Sequence, residues 1–346
     1  MYKTIVRPLF FLLDPEKIHT YLITALKIVD KIPFAGNLIS AIYNYRSPKL
    51  EKEILGMKFK NPVGIAAGFD KDAEVFDILG DFGFGFVEIG TVTPKAQPGN
   101  PKPRIFRLID KKSILNRMGF NNKGAKHSSN NLKKRRNKNI IIGGNIGKNK
   151  ITPLENAVDD YLISFRELYS YVDYFAINIS SPNTPDLRKL QEKSKLENLF
   201  KSIIDLNNTY DKQKPIFVKI APDLSHAELA DIISIVNKYD IAGIIATNTT
   251  LDRTNIDNTK YNIPQFENGG ISGKLLTDKS TEIIKLIRKS LEDSKLIIGV
   301  GGIMTPQDAE EKLKSGADLI QVYTGFIYEG PGIVKRINKH LSKANN

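Results

Sequence analysis

The chain has 346 residues, 41% hydrophobic and 26% charged, so it can bury a large core and is not a generally disordered protein. It contains no cysteine, which excludes disulfides, cysteine-ligated zinc and iron–sulfur clusters carried by this chain and fits a reducing compartment. The net charge of +13 would suit a polyanion partner, but the excess is mostly lysine spread along the chain. Its densest run, Lys133-Lys-Arg-Arg136 with Lys138, has no aromatic interleaving and reads as a solvated helix end; no nucleic-acid partner and no metal are expected.

The N-terminal segment is too short in apolar character to cross a membrane, since its longest apolar run covers only residues 9–13. Asp14 can cap a helix that has Pro15 at its first position, and Ile18, Tyr21, Leu22, Ala25, Leu26 and Val29 follow at helical spacing. Pro33 is expected to end this helix. Leu38, Ile39, Ile42 and Tyr43 suggest a second, shorter one. With Lys17, Lys27 and Lys31 near the flank, the pair could lie in a membrane interface; the alternative is that both helices pack on the main domain. The expected division is a helical module over residues 1–45 and a main domain over 46–346.

From residue 50 onward the pattern becomes short apolar runs separated by helical stretches. Strands are expected at 62–67, 85–89, 140–146, 174–179, 216–220, 243–247, 296–300 and 319–322. Helices are expected at 153–170, 195–208, 225–239, 278–292 and 306–315. Near-continuous apolar strands between helices indicate a parallel sheet covered on both faces, and eight of them favour a closed (β/α)8 barrel. Fragments at 105–108 and 113–115 read as a small hairpin inserted above the second strand.

Polar residues gather at the carboxyl ends of these strands, which share one mouth in a barrel. They are Ala66-Ala-Gly-Phe-Asp-Lys71, Thr91, Asn145, Asn178-Ile-Ser-Ser-Pro-Asn-Thr184, Lys219, Thr247-Asn-Thr249, Gly299-Val-Gly-Gly302 and Tyr323-Thr-Gly325. The loop from Asn178 packs hydroxyls and two carboxamides into seven residues and can grip a polar planar ligand. If this site abstracts a proton, the base cannot be a thiolate, and Ser181 is the natural candidate. Gly301, Gly302 and Gly273 leave backbone amides uncovered. With Tyr323 and Thr324 at the start of a short helix, they point to a phosphate site at the seventh and eighth strands. Neither a Rossmann fingerprint nor a P-loop is present.

Nine blocks, in order and through about 300 residues, resemble dihydroorotate dehydrogenase. Besides those above, they include Glu88-Ile-Gly-Thr-Val-Thr-Pro94, Gln97-Pro-Gly-Asn-Pro101, Asn116-Arg-Met-Gly-Phe-Asn121, Asn145-Ile-Gly-Lys148 and Lys219-Ile-Ala-Pro-Asp223. The N-terminal helices resemble the extension of the membrane-associated, quinone-dependent class 2. The resemblance implies an FMN enzyme of pyrimidine biosynthesis that oxidises (S)-dihydroorotate to orotate and passes the electrons to ubiquinone or menaquinone. It also implies peripheral association with the cytoplasmic face of a bacterial-type cell membrane.

By the same resemblance Ser181 is the base, in the position where the cytosolic class 1 enzymes carry cysteine, and Thr184 and Phe120 shape a proton relay from it. Substrate would be held by Lys71, Asn116, Arg117, Met118, Gly119, Phe120, Asn178, Asn183, Asn248 and Thr249. FMN would contact Ala67, Gly68, Phe69, Asp70, Lys71, Thr91, Asn145, Asn178, Lys219, Thr247, Gly273, Gly301, Gly302, Tyr323 and Thr324. Lys219 would stabilise negative charge on the reduced flavin. His19 and Arg107 are the quinone-site candidates, although His19 by position is also an ordinary polar-face histidine.

Three alternatives stand beside this reading. A fumarate-linked class 1 enzyme would lack residues 1–45 and carry a cysteine base. A flavin barrel acting on RNA would explain the basic charge but would also be expected to use cysteine. A non-enzymatic RNA- or lipid-binding module would leave the aligned polar strand ends unexplained.

Overall fold

A computed structural model describes residues 1–254 and 256–344. After a helical turn at Tyr2–Val6 come α1 (Arg7–Leu12), α2 (Pro15–Val29) and α3 (Ala35–Tyr43). The Asp14 carboxylate accepts from the amides of Glu16 and Lys17 at 3.0 and 2.9 Å, which satisfies two of the donors that a helix start leaves free. Helix α2 ends at Val29, earlier than the expected stop at Pro33. The chain then turns through Phe34 in a left-handed conformation (φ 66°) into α3.

A short antiparallel hairpin, β1 (Lys52–Ile54) and β2 (Met57–Phe59), precedes the first barrel strand, β3 (Val63–Ile65). Next come α4 (Phe76–Asp81) and β4 (Phe86–Val92), then the inserted pair β5 (Ile105–Leu108) and β6 (Ser113–Asn116). Helix α5 (Ala125–Leu132), β7 (Ile141–Ile146), α6 (Ala157–Leu168) and β8 (Tyr174–Asn178) follow, and then α7 (Lys193–Asn208), β9 (Ile216–Ile220), α8 (His226–Lys238) and β10 (Gly243–Ala246). The chain closes with β11 (Gly270–Gly273), α9 (Thr277–Ser290), β12 (Leu296–Val300), α10 (Pro306–Lys314), β13 (Leu319–Val322), α11 (Thr324–Glu329) and α12 (Ile333–Ala344).

Strands β3, β4, β7, β8, β9, β10, β12 and β13 are parallel neighbours in that order and close on themselves as a (β/α)8 barrel. All eight expected strands and all five expected helices are present. Capping boxes start two of the helices, Ser225 with Glu228 at α8 and Thr305 with Asp308 at α10. The expected hairpin is there too, but β11 joins β6 along its free edge and makes it a three-stranded sheet over the barrel mouth. The basic run after α5 is only partly solvated, because Arg136 pairs with Asp30 at 2.6 Å and Asp81 at 3.3 Å, and Arg135 with Asp173 at 3.3 Å.

Alternation along the strands sorts the barrel interior into layers. Phe86, Tyr174, Phe217 and Leu319 form a dry lower layer with Phe59 of the hairpin, whose ring meets Phe86 edge-on at 5.5 Å. Two residues beyond Phe86, Phe217 and Leu319 the inward positions become Glu88, Lys219 and Gln321, and Asn145 of β7 and Asn178 of β8 join them, all buried. Gly143 makes room for this change of character. A Cβ there would sit 2.2 Å from the Tyr174 ring, the ring whose hydroxyl reaches up to Glu88.

Candidate active site

The floor of the barrel mouth is one hydrogen-bonded layer built around a carboxylate. Glu88 is fully buried and pairs with the Lys219 ammonium at 3.0 Å. It also accepts from Asn145 Nδ2 at 2.8 Å, Gln321 Nε2 at 2.7 Å and the Tyr174 hydroxyl at 3.3 Å. A buried charge needs a partner, and Glu88 and Lys219 serve each other; Glu88 is held by three further donors, while Lys219 has Glu88 as its one acceptor among the described residues. Asn145 then accepts from Thr91 Oγ1 at 2.6 Å, and Asn178 Nδ2 donates to Thr91 Oγ1 at 2.9 Å. Asn248 Nδ2 donates to Ser180 Oγ at 3.0 Å. The amides are thus oriented by one another before any ligand arrives.

Above this floor the loop after β8 carries Ser181, a buried residue whose Oγ accepts from the Asn183 amide at 3.2 Å. Asn183 Nδ2 in turn reaches Asn116 Oδ1 at 3.3 Å, so carboxamides from β6 and the β8 loop meet over one space. The Thr184 hydroxyl is buried without a protein partner. The amides of Met118, Gly119 and Phe120 have no acceptor among the described residues, while the carbonyls of Gly119 and Phe120 are held by Gln97 Nε2 at 3.2 and 3.0 Å. The loop is fixed from behind and its donors are left for a ligand.

A single cavity of about 660 Å³ connects these residues to the N-terminal helices. Its inner part is lined by Lys71, Asn116, Asn178, Ser181, Lys219 and Asn248, with Gly273, Gly301, Gly302 and Thr324 at one side. Its outer part is lined by Phe10, Phe11, Leu22, Leu26, Tyr43 and Phe82. His19 and Arg107 stand in the outer part. The His19 ring meets Phe69 edge-on at 5.3 Å, and burial, with the nearby Lys71 charge, pushes its pKa down to about 3. It is therefore a neutral hydrogen-bonding group at physiological pH. Arg107 stacks over the Phe11 ring at 4.5 Å and donates to the carbonyls of Phe11 and Leu13 at 3.1 and 2.7 Å, which ties the end of α1 to β5. Burial pushes Lys71 down to about 8.

A model of the dihydroorotate dehydrogenase family matches residues 49–344. The chain belongs to that family. It is 52% identical to the dihydroorotate dehydrogenase (quinone) of Christiangramia forsetii over 99% of this chain and 98% of that one. The enzyme of the same name from Nostoc punctiforme is 49% identical over 99% and 93%. Among solved structures, DHODH from Eimeria tenella in complex with ferulenol superposes with a TM-score of 0.83 at 35% identity, covering 96% of this chain and 91% of that one.

Set against this dihydroorotate dehydrogenase frame, most of the residues expected at the site do line the cavity, but Arg117, Asp70, Asn145 and the relay candidate Thr184 do not. Arg117 points away and donates to the carbonyls of Pro264 and Gln265 at 2.8 and 3.0 Å, tying down the loop before β11. Asp70 turns its carboxylate to the amides of Glu74 and Val75, at 2.7 and 2.9 Å. Asn145 lies beneath the cavity and acts through Thr91, Asn178 and Glu88. Sequence reasoning passed over Glu88, Gln321 and Tyr174, whose shared signal was a polar group inside an otherwise apolar strand. Nor did it find the lining residues Phe10 and Phe82.

Proposed function

We propose that this chain oxidises (S)-dihydroorotate to orotate with FMN as its cofactor and a membrane quinone as electron acceptor. The observation that carries the reading is the continuity of one cavity, polar and hydrogen-bonded at the barrel mouth and apolar between the N-terminal helices. The name borne by its relatives, dihydroorotate dehydrogenase (quinone), supports the same assignment.

The residues present fit a phosphorylated planar cofactor. The amides of Gly301, Gly302, Thr324 and Gly325 have no acceptor among the described residues and border the cavity, as a nest for phosphate requires. Helix α11 runs only six residues, so these amides, rather than a long helix dipole, would hold the anion. The buried Gln321 Oε1, without a protein partner, offers an acceptor in the floor. FMN bound there would supply the acceptor for the C6 hydride and the route of the electrons to quinone.

The chain's own residues do the rest. Ser181 Oγ takes the C5 proton; a hydroxyl is a weak base, so the proton needs an onward path, and the unpartnered Thr184 hydroxyl stands three residues away in the same loop. Lys71 and the free amides of residues 118–120 receive the substrate carboxylate. Asn116, Asn178, Asn183 and Asn248 match the donors and acceptors of the ring, and any edge left unpaired in so closed a site would be costly. Lys219, anchored by Glu88, sets positive charge at the floor.

Docking to the cytoplasmic face of the membrane belongs to the same proposal. No helix of the described residues is long and apolar enough to cross a membrane. Leu9, Leu12, Phe34, Leu38 and Ile42 nevertheless expose their side chains around the outer cavity, as an interfacial helix pair does.

Anaerobic mixing of the full-length protein with dihydroorotate, followed by addition of quinone or fumarate, tests substrate and acceptor together. The expected result is bleaching of flavin absorbance by dihydroorotate and its recovery with quinone but not fumarate. A protein that carries no flavin and takes up no FMN would sink the proposal.

A further inference from the structure

Behind the glycine nest lies a cation that the reaction does not use. Lys312 of α10 is fully buried and meets no carboxylate among the described residues. Its ammonium donates to Ser280 Oγ at 2.7 Å, Thr281 Oγ1 at 2.9 Å and the Thr277 carbonyl at 3.2 Å, all on the first turns of α9. These neutral partners satisfy its three protons but not its charge. Asp308, Asp278 and Glu311 act on it only from a distance, and burial pushes its pKa down to about 8.

The same α9 residues grip the nest. Ser280 Oγ donates to the Gly301 carbonyl at 3.0 Å, and Thr277 Oγ1 to the Gly302 carbonyl at 2.8 Å. Both glycines have positive φ, 121° and 71°. A Cβ on Gly302 would fall 2.4 Å from the Thr277 backbone, so the turn lies directly on α9. The ammonium is therefore one hydroxyl removed from the backbone whose amides face the cavity. The Gly301 carbonyl shares a peptide plane with the Gly302 N–H, so a hydroxyl holding that carbonyl from behind turns the Gly302 amide the opposite way, toward the cavity.

We propose that Lys312 is the buried counter-charge and positioning residue of the cofactor's phosphate, acting through Ser280 and Thr277 on the Gly301–Gly302 turn. This rests on the FMN reading above and goes beyond it, because Lys312 does not line the cavity. A cation buried among neutral groups gains most when a dianion arrives across the turn. The chain would thus discriminate a phosphorylated flavin from an unphosphorylated one by a charge the flavin never meets.

The test compares FMN with riboflavin on full-length wild type and Lys312→Met, by quenching of flavin fluorescence. The expected result is FMN affinity lowered about tenfold or more in the variant, with riboflavin affinity within about twofold of wild type. Unchanged riboflavin binding is itself the sign that the barrel has folded. Equal losses for both flavins, or no loss for either, overturn the proposal. Ser280→Ala, which removes the link and keeps the charge, provides a second measure and should lower FMN affinity by a few-fold without affecting riboflavin. If Lys312→Met does not fold, Ser280→Ala decides alone, and an FMN affinity equal to wild type overturns the proposal. If wild type binds neither flavin, the FMN reading itself fails and the inference falls with it.

Discussion

The two ends of the cavity are built on opposite principles. In the floor of the barrel mouth the charged and carboxamide side chains engage one another, from Glu88 and Lys219 through Asn145, Thr91 and Asn178 to Asn248. At the N-terminal end the walls include Phe10, Leu22, Leu26, Tyr43 and Phe82, and polar groups such as His19, Arg107, Tyr2, Glu329 and Arg336 are set among them. A preorganised polar floor suits one planar, amide-rich ligand and tolerates little change. A largely apolar passage with a few polar groups suits ligands that share a headgroup and a greasy tail. On the proposed function, specificity and access lie in separate parts of the chain.

The sharpest way to break this contrast is to remove one end. Deleting residues 1–45 should abolish steady-state quinone reduction and vesicle binding, while dihydroorotate still reduces the flavin in a single turnover; quinone turnover at the intact rate would make the helices mere packing. At the other end, Ser181→Ala should slow flavin reduction by ~10²-fold or more with orotate binding and flavin content preserved. Ser181→Cys should keep part of the activity at a lower pH optimum, because a thiol ionises more readily than a hydroxyl. Stopped-flow absorbance reads both, and a wild-type rate in the alanine variant removes Ser181 from the mechanism.

Lys219→Ala probes the floor itself. It leaves Glu88 buried without its cation, so stability should drop by roughly 3 kcal/mol, with weaker flavin retention, in a thermal melt and a flavin-release assay. An unchanged melting temperature would mean that Asn145, Gln321 and Tyr174 suffice. At the passage, Phe34→Ser removes an exposed aromatic and should weaken vesicle binding by about tenfold with the flavin half-reaction untouched. The smallest effect concerns pH. With Lys71 at about 8, its charge is present below that pH and lost above it, so the KM for dihydroorotate should rise a few-fold from pH 7 to 9. Lys71→Met should flatten that rise, whereas His19, neutral above about pH 4, should leave the quinone KM flat over the same range.

Much of the barrel was legible because buried parallel strands are uninterrupted apolar runs, and their polar ends mark the mouth. Glu88 was illegible for the same reason. A carboxylate in Phe-Val-Glu-Ile-Gly looks like an outward-facing residue until Lys219, 131 positions later, is brought to it. Strand β11 was missed because Gly-Ile-Ser-Gly has little strand character of its own and takes its ladder from β6, more than 150 residues earlier. Arg117 and Asp70 were misplaced since membership of a motif fixes the backbone path and not the direction of each side chain. The three hydroxyl and carbonyl contacts of Lys312 carry no sequence signal at all.

The join between the two ends has a practical meaning. Glu16, at the start of α2, forms a two-pronged ion pair with Arg104 at 3.0 and 2.7 Å, and Arg104 also clasps the carbonyls of Pro98 and Asn100 at 2.7 Å each. Asn100 reaches on to the carbonyls of Arg117 and Asn183, beside the substrate groups. The helical module is thus keyed to two loops, carrying Arg117 and Asn183, that the proposed function places at the substrate. Grafting the first 45 residues of one relative onto the barrel of another should yield a working chimera only where the glutamate and the arginine loop travel as a matched set. An acceptor-switching design that ignores this key would damage the pyrimidine site from a distance.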